Sequence, residues 1–115
     1  MHSNVDDMAR WILLNLNRGE LDGRRILKSS TYDVLWKPAA PVPGRNGHVG
    51  ISWFLADSRG EQVVMHSGGA DGFTTHLAFA PALKAGVVMM ANCDHMSSLK
   101  NIWEAAMERP APFAK

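Results

Sequence analysis

The sequence predicts an α+β fold: an antiparallel sheet of about four strands flanked by an N-terminal and a C-terminal helix. Three observations carry this. Apolar residues recur at helical spacing near both ends of the chain. Between 48 and 91 the pattern changes to an alternation of period two, as in half-buried strands. Turn-forming residues interrupt that alternation at 57–60, around the glycines of 68–72, and at 81–86. Strands that follow one another, with helices kept to the chain ends, are the pattern of an α+β domain.

A first helix is expected over 4–18. Ser3 with Asp6 has the form of a capping box, which satisfies amides left over at a helix start. Val5, Met8, Ile12 and Leu16, joined by Ala9 and Leu13, make an apolar stripe, and Gly19 suits a left-handed C-cap. Trp11 and Leu14 lie off the stripe, so contacts on two sides of the helix are expected, one of them with a partner.

Asp22-Gly23 is a turn signal, and Arg25-Ile26-Leu27 reads as an isolated bridge strand. Ser30 then caps a short helix from Thr31 to Trp36. Pro38 stops it, because proline lacks an amide and disfavours helix in the residue before it. Residues 37–47 hold three prolines and two glycines and read as a connecting loop.

The first sheet strand places Val49, Ile51, Trp53 and Leu55 on one side. Asp57-Ser58-Arg59-Gly60 turns into a return strand from Gln62 to His66. After the glycines, Phe73, Thr75, Leu77 and Phe79 face one way, and Thr74, His76 and Ala78 the other. Val87-Val88-Met89-Met90-Ala91 is nearly all apolar and reads as a central strand. Ser97 or Ser98 caps a last helix, with Leu99, Ile102, Trp103, Ala106 and Met107 on its buried stripe and Pro110 stopping it.

Composition narrows the function classes. At 115 residues, 1–115 is one domain, long enough to bury a core without staples. Net charge is +1 with scattered Lys and Arg, which gives no electrostatic case for nucleic acid or a membrane surface. One cysteine, Cys93, forms no internal disulfide, so no oxidising compartment is implied. No apolar run reaches a transmembrane length of about 18 residues. Residues 1–7 lack the basic-then-apolar pattern of a signal peptide, so a soluble, by default cytoplasmic, protein is expected.

The stretch with chemical content is Val63-Val64-Met65-His66-Ser67-Gly68-Gly69-Ala70-Asp71-Gly72-Phe73. A histidine and a serine end a strand, and glycines beside them let another molecule approach the main chain closely. With Asp6-Asp7-Met8-Ala9-Arg10-Trp11, Gly50-Ile51-Ser52-Trp53, Gly72-Phe73, Pro81 and Gly86-Val87-Val88-Met89-Met90-Ala91-Asn92, this order of motifs resembles the C-terminal third of the serine β-lactamase-like family. That family includes class C β-lactamases, related esterases and D-alanyl-D-alanine peptidases.

The resemblance implies roles. His66-Ser67-Gly68 stands where the family has Lys- or His-Thr/Ser-Gly on a strand lining the active site. His66 would shape the field near a substrate carboxylate or leaving group, and the Ser67 hydroxyl would bind substrate. The Gly69 amide would be an oxyanion donor, a group worth about 3 kcal/mol of transition-state stabilisation. No cofactor is implied. The family's nucleophile, in Ser-x-x-Lys, and its Tyr-x-Asn motif both precede the third motif, and neither is present ahead of His66. Ser97-Ser98-Leu99-Lys100 fits Ser-x-x-Lys but comes after His66, and Ser97 reads as a helix cap.

Other chemistries fit less well. Ser67 as a free-standing nucleophile needs a base held by a third group; His76 or His95 with Asp71 or Asp94 are the candidates. Cys93, Asp94 and His95 cluster without zinc-ligand spacing. The glycines lead into a strand and lack the lysine and helix of a phosphate loop. Trp11, Trp36, Trp53 and Trp103 read as core or interface anchors. The expectation is therefore a truncated β-lactamase-related segment, inactive alone, that acts on a small-molecule substrate only when completed by a missing N-terminal portion or a separate chain. Its uncovered apolar surface predicts a homodimer or higher homo-oligomer, and the alternative is a self-associating module without catalysis.

Overall fold

The computed structural model describes residues 2–94, 101–102 and 105–106. Helix α1 spans Val5–Leu16. Its N-cap is Asn4, one residue later than expected. The Asn4 Oδ1 accepts from the Asp7 amide at 2.9 Å, and Asn4 Nδ2 donates to the Asp7 carboxylate at 2.9 Å. The C-terminus closes in a Schellman arrangement: the Gly19 amide donates to Leu14 O and the Arg18 amide to Asn15 O, each at 2.8 Å. Arg18 enters the left-handed region first (φ 49) and Gly19 follows (φ 94). A Cβ at Gly19 would lie 2.3 Å from Leu27 O, so glycine is required there on two counts.

The buried face of α1 differs from the predicted stripe. Ile12, Leu14 and Asn15 are buried, Met8 and Leu16 pack partly against the core, and Val5 and Leu13 are exposed. The helix rests on two sides, which turns Leu14 inward although it lies off the stripe: the last two strands of the main sheet lie on one, strand β1 (Glu20–Leu21) on the other. Strand β1 pairs with β2 (Arg24–Arg25) across Asp22 (φ 51) and Gly23 (φ 73), a two-residue hairpin in place of the expected bridge strand at 25–27.

Helix α2 covers Thr31–Leu35. Ser30 is itself helical and makes no side-chain cap, contrary to expectation. Arg18 organises this entry. Its guanidinium donates to Ser29 Oγ and Ser29 O at 2.9 Å each, pairs with Asp33, and stacks near the Tyr32 and Trp36 rings.

Among the described residues the main sheet has six antiparallel strands in chain order: β3 (Ala40–Pro41), β4 (His48–Val49), β5 (Phe54–Ser58), β6 (Glu61–Ala70), β7 (Phe73–Ala80) and β8 (Ala85–Ala91). The expected loop 37–47 thus contributes β3. The expected single strand 48–55 is broken at 50–53, where Ser52 has φ 61 and the Ile51 amide donates to Leu35 O of α2 at 3.1 Å. Arg59-Gly60 turns β5 into β6 with positive φ at both residues, as the sequence suggested. The glycines at 68 and 69 lie inside β6, and Asp71-Gly72 alone makes the next turn.

Strand β8 is at the edge of the sheet among the described residues, where a central strand was expected. Its apolar run has another cause, because both of its faces pack: Val88 joins one apolar cluster, Val87 and Met89 the other. The first cluster joins Ile12, Tyr32, Trp36, Leu55, Val64, Leu77 and Phe79. Phe79 is fully buried and meets the rings of Trp36 and Trp53 edge-on at 5.6 and 5.3 Å. The second holds Val63, Ala78 and Ala80 on the opposite sheet face. Of the predicted last helix, 101–102 and 105–106 are helical; Ser97, Ser98, Leu99, Trp103, Met107 and Pro110 lie outside the described residues.

Candidate functional site

Strand β6 is paired unevenly, and this makes the site. On one side β5 pairs with it from Ser58↔Glu61 to Phe54↔Met65 and then stops. On the other side β7 continues from Val64↔Phe79 through Ser67↔His76, Gly68↔Thr75 and Gly69↔Thr74 to Ala70↔Phe73. Residues 66–70 therefore present one backbone edge that no described strand covers, and all five are exposed. The cause is the break at 50–53, which carries the chain toward α2 before a partner for His66 can form.

Alternation along β6 sorts the side chains. Val64 belongs to the cluster beneath α1 and Val63 to the other, so His66 and Gly68 belong to the helix face and Ser67 and Gly69 to the opposite one. The His66 Nδ1 lies 2.8 Å from Ser67 O, and its ring centroid is 5.5 Å from that of Phe54. Thr75 Oγ1 donates to Gly68 O at 3.3 Å. The far end of the β6–β7 hairpin is pinned to the end of β8. There the Gly72 amide donates to Asp94 Oδ1 at 2.8 Å and Thr74 Oγ1 to Cys93 O at 2.8 Å.

The two glycines differ in kind. A Cβ at Gly68 would meet Thr75 Oγ1 at 2.8 Å, so packing accounts for that glycine. A Cβ at Gly69 would meet nothing closer than Phe73 O at 4.0 Å, and its φ is not in the positive region. Glycine inside a strand costs about 0.5–1 kcal/mol relative to alanine. Nothing in the packing of the described residues demands it at 69.

Beside the open edge lies a pocket of about 450 Å³. Met8 and Trp11 of α1, Trp53 of the break, Leu77 of β7 and Val88 and Met90 of β8 make its apolar walls. Ser52, His66, Gly68 and Thr75 add polar groups, and Ser67 and His76 also border it. Burial pushes the His76 imidazole below its ordinary value, because desolvation disfavours the charged ring.

The structure thus brings His66, Ser67, Gly68 and Gly69 together on one edge. It sets Ser67 directly opposite His76, while Asp94, offered as an orienter, gives its carboxylate to Gly72. Ser97, Lys100 and His95 lie outside the described residues. No three metal-ligating side chains cluster among the described residues, and no described helix is long and apolar enough to cross a membrane. Sequence reasoning missed the pocket walls. Trp11 carried a signal, since it lies off the apolar stripe of its helix, but its neighbours come from three distant segments.

Comparison with known proteins decides the family. The sequence matches the Beta-lactamase family over residues 1–109. The chain belongs to that family. Unguisins hydrolase ungD' of Aspergillus campestris (strain IBT 28561) is 29% identical over 101 residues, covering 84% of this chain and 18% of the relative. The N-acetylmuramyl-L-alanine amidase of Bacillus subtilis (strain 168) is 27% identical over 101 residues, covering 83% of this chain and 22% of the amidase. The octameric penicillin-binding protein homologue from Pyrococcus abyssi shares the fold, with a TM-score of 0.78 at 22% identity, over 91% of this chain and 24% of that one. This β-lactamase-family chain thus spans less than a quarter of each of these three proteins.

Proposed function

We propose that this chain is the substrate-binding portion of a serine hydrolase of the β-lactamase family, presenting an edge strand to a nucleophile that another segment or chain supplies. The observation that carries this is the uncovered edge of residues 66–70 beside the pocket. An extended substrate lies along such an edge by main-chain hydrogen bonds, as an added strand does. Gly69, a glycine that packing among the described residues does not explain, is what close approach of a ligand to the main chain calls for. In this reading the Gly69 amide donates to the developing oxyanion, His66 hydrogen-bonds the bound group, and the Ser67 hydroxyl contacts substrate from the other side. None of these groups attacks. The test is an amide NMR spectrum of the chain with N-acetyl-L-phenylalanine methyl ester added. The Gly68, Gly69 and Ala70 amides shift; an edge that stays unmoved overturns the reading.

A second reading rests on the direct pairing of Ser67 with His76. Cross-strand neighbours stand about 4.5–5.5 Å apart at Cβ, and a neutral imidazole accepts a proton from serine, which makes a stand-alone esterase the competing account. It is the weaker one, because Asp94 is turned to Gly72. Self-association accompanies either reading. Trp11, Leu13, Val34 and Ile51 are exposed, β8 has no described neighbour on its outer side, and the Pyrococcus abyssi homologue is described as octameric. Light scattering on the eluting chain at micromolar concentration gives a dimer or larger; a folded monomer refutes this part.

A further inference from the structure

We infer that the ligand taken at this edge is electrically neutral where it meets the pocket: an apolar acyl ester or amide with a bulky side chain, and not a molecule presenting a free carboxylate there. This rests on the reading that residues 66–70 bind substrate, and it names the class of substrate.

The pocket's size fits a side chain and its neighbours, since small-molecule sites run from about 300 to 1,000 Å³. Its walls are thioether, indole and aliphatic groups from Met8, Trp11, Trp53, Leu77, Val88 and Met90. Among the described residues, no Lys, Arg, Asp or Glu lines it. A carboxylate moved against such walls loses hydration and gains no ion pair, which makes its transfer unfavourable. Two arginines near the helix wall are committed elsewhere. Arg10, beside Trp11, pairs with Asp22 at 2.5 Å, and Arg18 is held by Ser29 and Asp33.

The polar groups that do face the pocket suit a neutral ligand. Ser52 and Thr75 offer hydroxyls, and the edge of β6 offers main-chain donors and acceptors. These match an ester or amide carbonyl and the N–H of an acylamino group. Among the described residues the ionisable groups bordering this site are the imidazoles of His66 and His76, and by register His66 shares the sheet face of Leu77.

The experiment compares two probes that differ in one charge. The chain is titrated at pH 8 with N-acetyl-L-phenylalanine methyl ester and with N-acetyl-L-phenylalanine. Tryptophan fluorescence reports affinity and the amide spectrum reports where each binds. The ester binds at least ten-fold tighter than the acid, shifts the amides of 68–70, and loses at least five-fold in affinity in Trp11→Ala. Equal or tighter binding of the acid with the same edge shifts overturns the inference and leaves the binding edge standing. Binding that leaves residues 68–70 unshifted, or no binding of either probe at millimolar concentration, overturns both.

Discussion

Gly86→Ala tests how α1 sits on the sheet, and through it the wall of the pocket. Gly86 lies in β8 opposite Phe79, beneath the helix. A methyl there would stand 2.6 Å from Ile12 Cγ2, 2.9 Å from Phe79 Cβ and 3.2 Å from Ala78 O. Carbon atoms rest about 3.5–4.0 Å apart, so roughly 1 Å must be found. It cannot come from Phe79 or Ala78, which are fully buried. The helix must lift, and Ile12, Met8 and Leu16 lose contact with the cluster below. Overpacking of this kind costs about 1–3 kcal/mol, or about 4–12 °C in Tm for a domain of this size. Ile12→Ala alone removes the opposing carbon from a buried site and costs about 2–5 kcal/mol. In the double variant the new methyl enters the space that Ile12 leaves, so the two costs fall short of their sum by about 1 kcal/mol or more. Urea unfolding of the four proteins measures this. A Gly86→Ala change below about 0.5 kcal/mol, or strict additivity in the double, refutes the packing argument.

Three further outcomes follow from particular residues. Gly69→Val adds a side chain where the described residues leave space, so Tm holds or rises, while affinity for the ester probe falls at least ten-fold; unchanged affinity means that ligand does not pass Gly69. Gly19→Ala combines a left-handed backbone with a 2.3 Å approach to Leu27 O, and chemical denaturation shows a loss of about 2 kcal/mol or more. His76 has its pKa lowered by burial, so its unfolded form binds a proton more readily. The resulting penalty is absent above the unfolded value of about 6.5, appears as pH falls through it, and is complete below the folded value. Stability curves from pH 8 to pH 5 decline in the parent and decline less in His76→Gln; parallel curves contradict this.

Much of the fold was legible because it is local. Periodicity gave α1 and the run of strands, and Asp57-Ser58-Arg59-Gly60 announces its hairpin by residue type, whereas the turn read across the glycines of 68–72 is confined to Asp71-Gly72 because β6 runs on to Ala70. What escaped was set by contacts far apart in the chain. The break at 50–53 depends on Leu35 O accepting from Ile51, a bond that no window around Ile51 reveals. The two-residue strands β3 and β4 are too short to show a period. Strand β8 read as central because its composition is apolar throughout, but composition reports covered faces and says nothing of covered edges. At the site, the motif from His66 to Gly69 stood out through its glycines. Trp11, Trp53 and Met90 join it only once the sheet register and the seat of α1 are fixed.

The central claim is that this chain binds and does not attack. Intact-mass spectrometry after incubation with a fluorophosphonate, a p-nitrophenyl ester and a chromogenic β-lactam tests it most directly. The account predicts an unmodified chain with every probe and no turnover. An adduct on Ser67 or Ser97, abolished by alanine at that position, would contradict it.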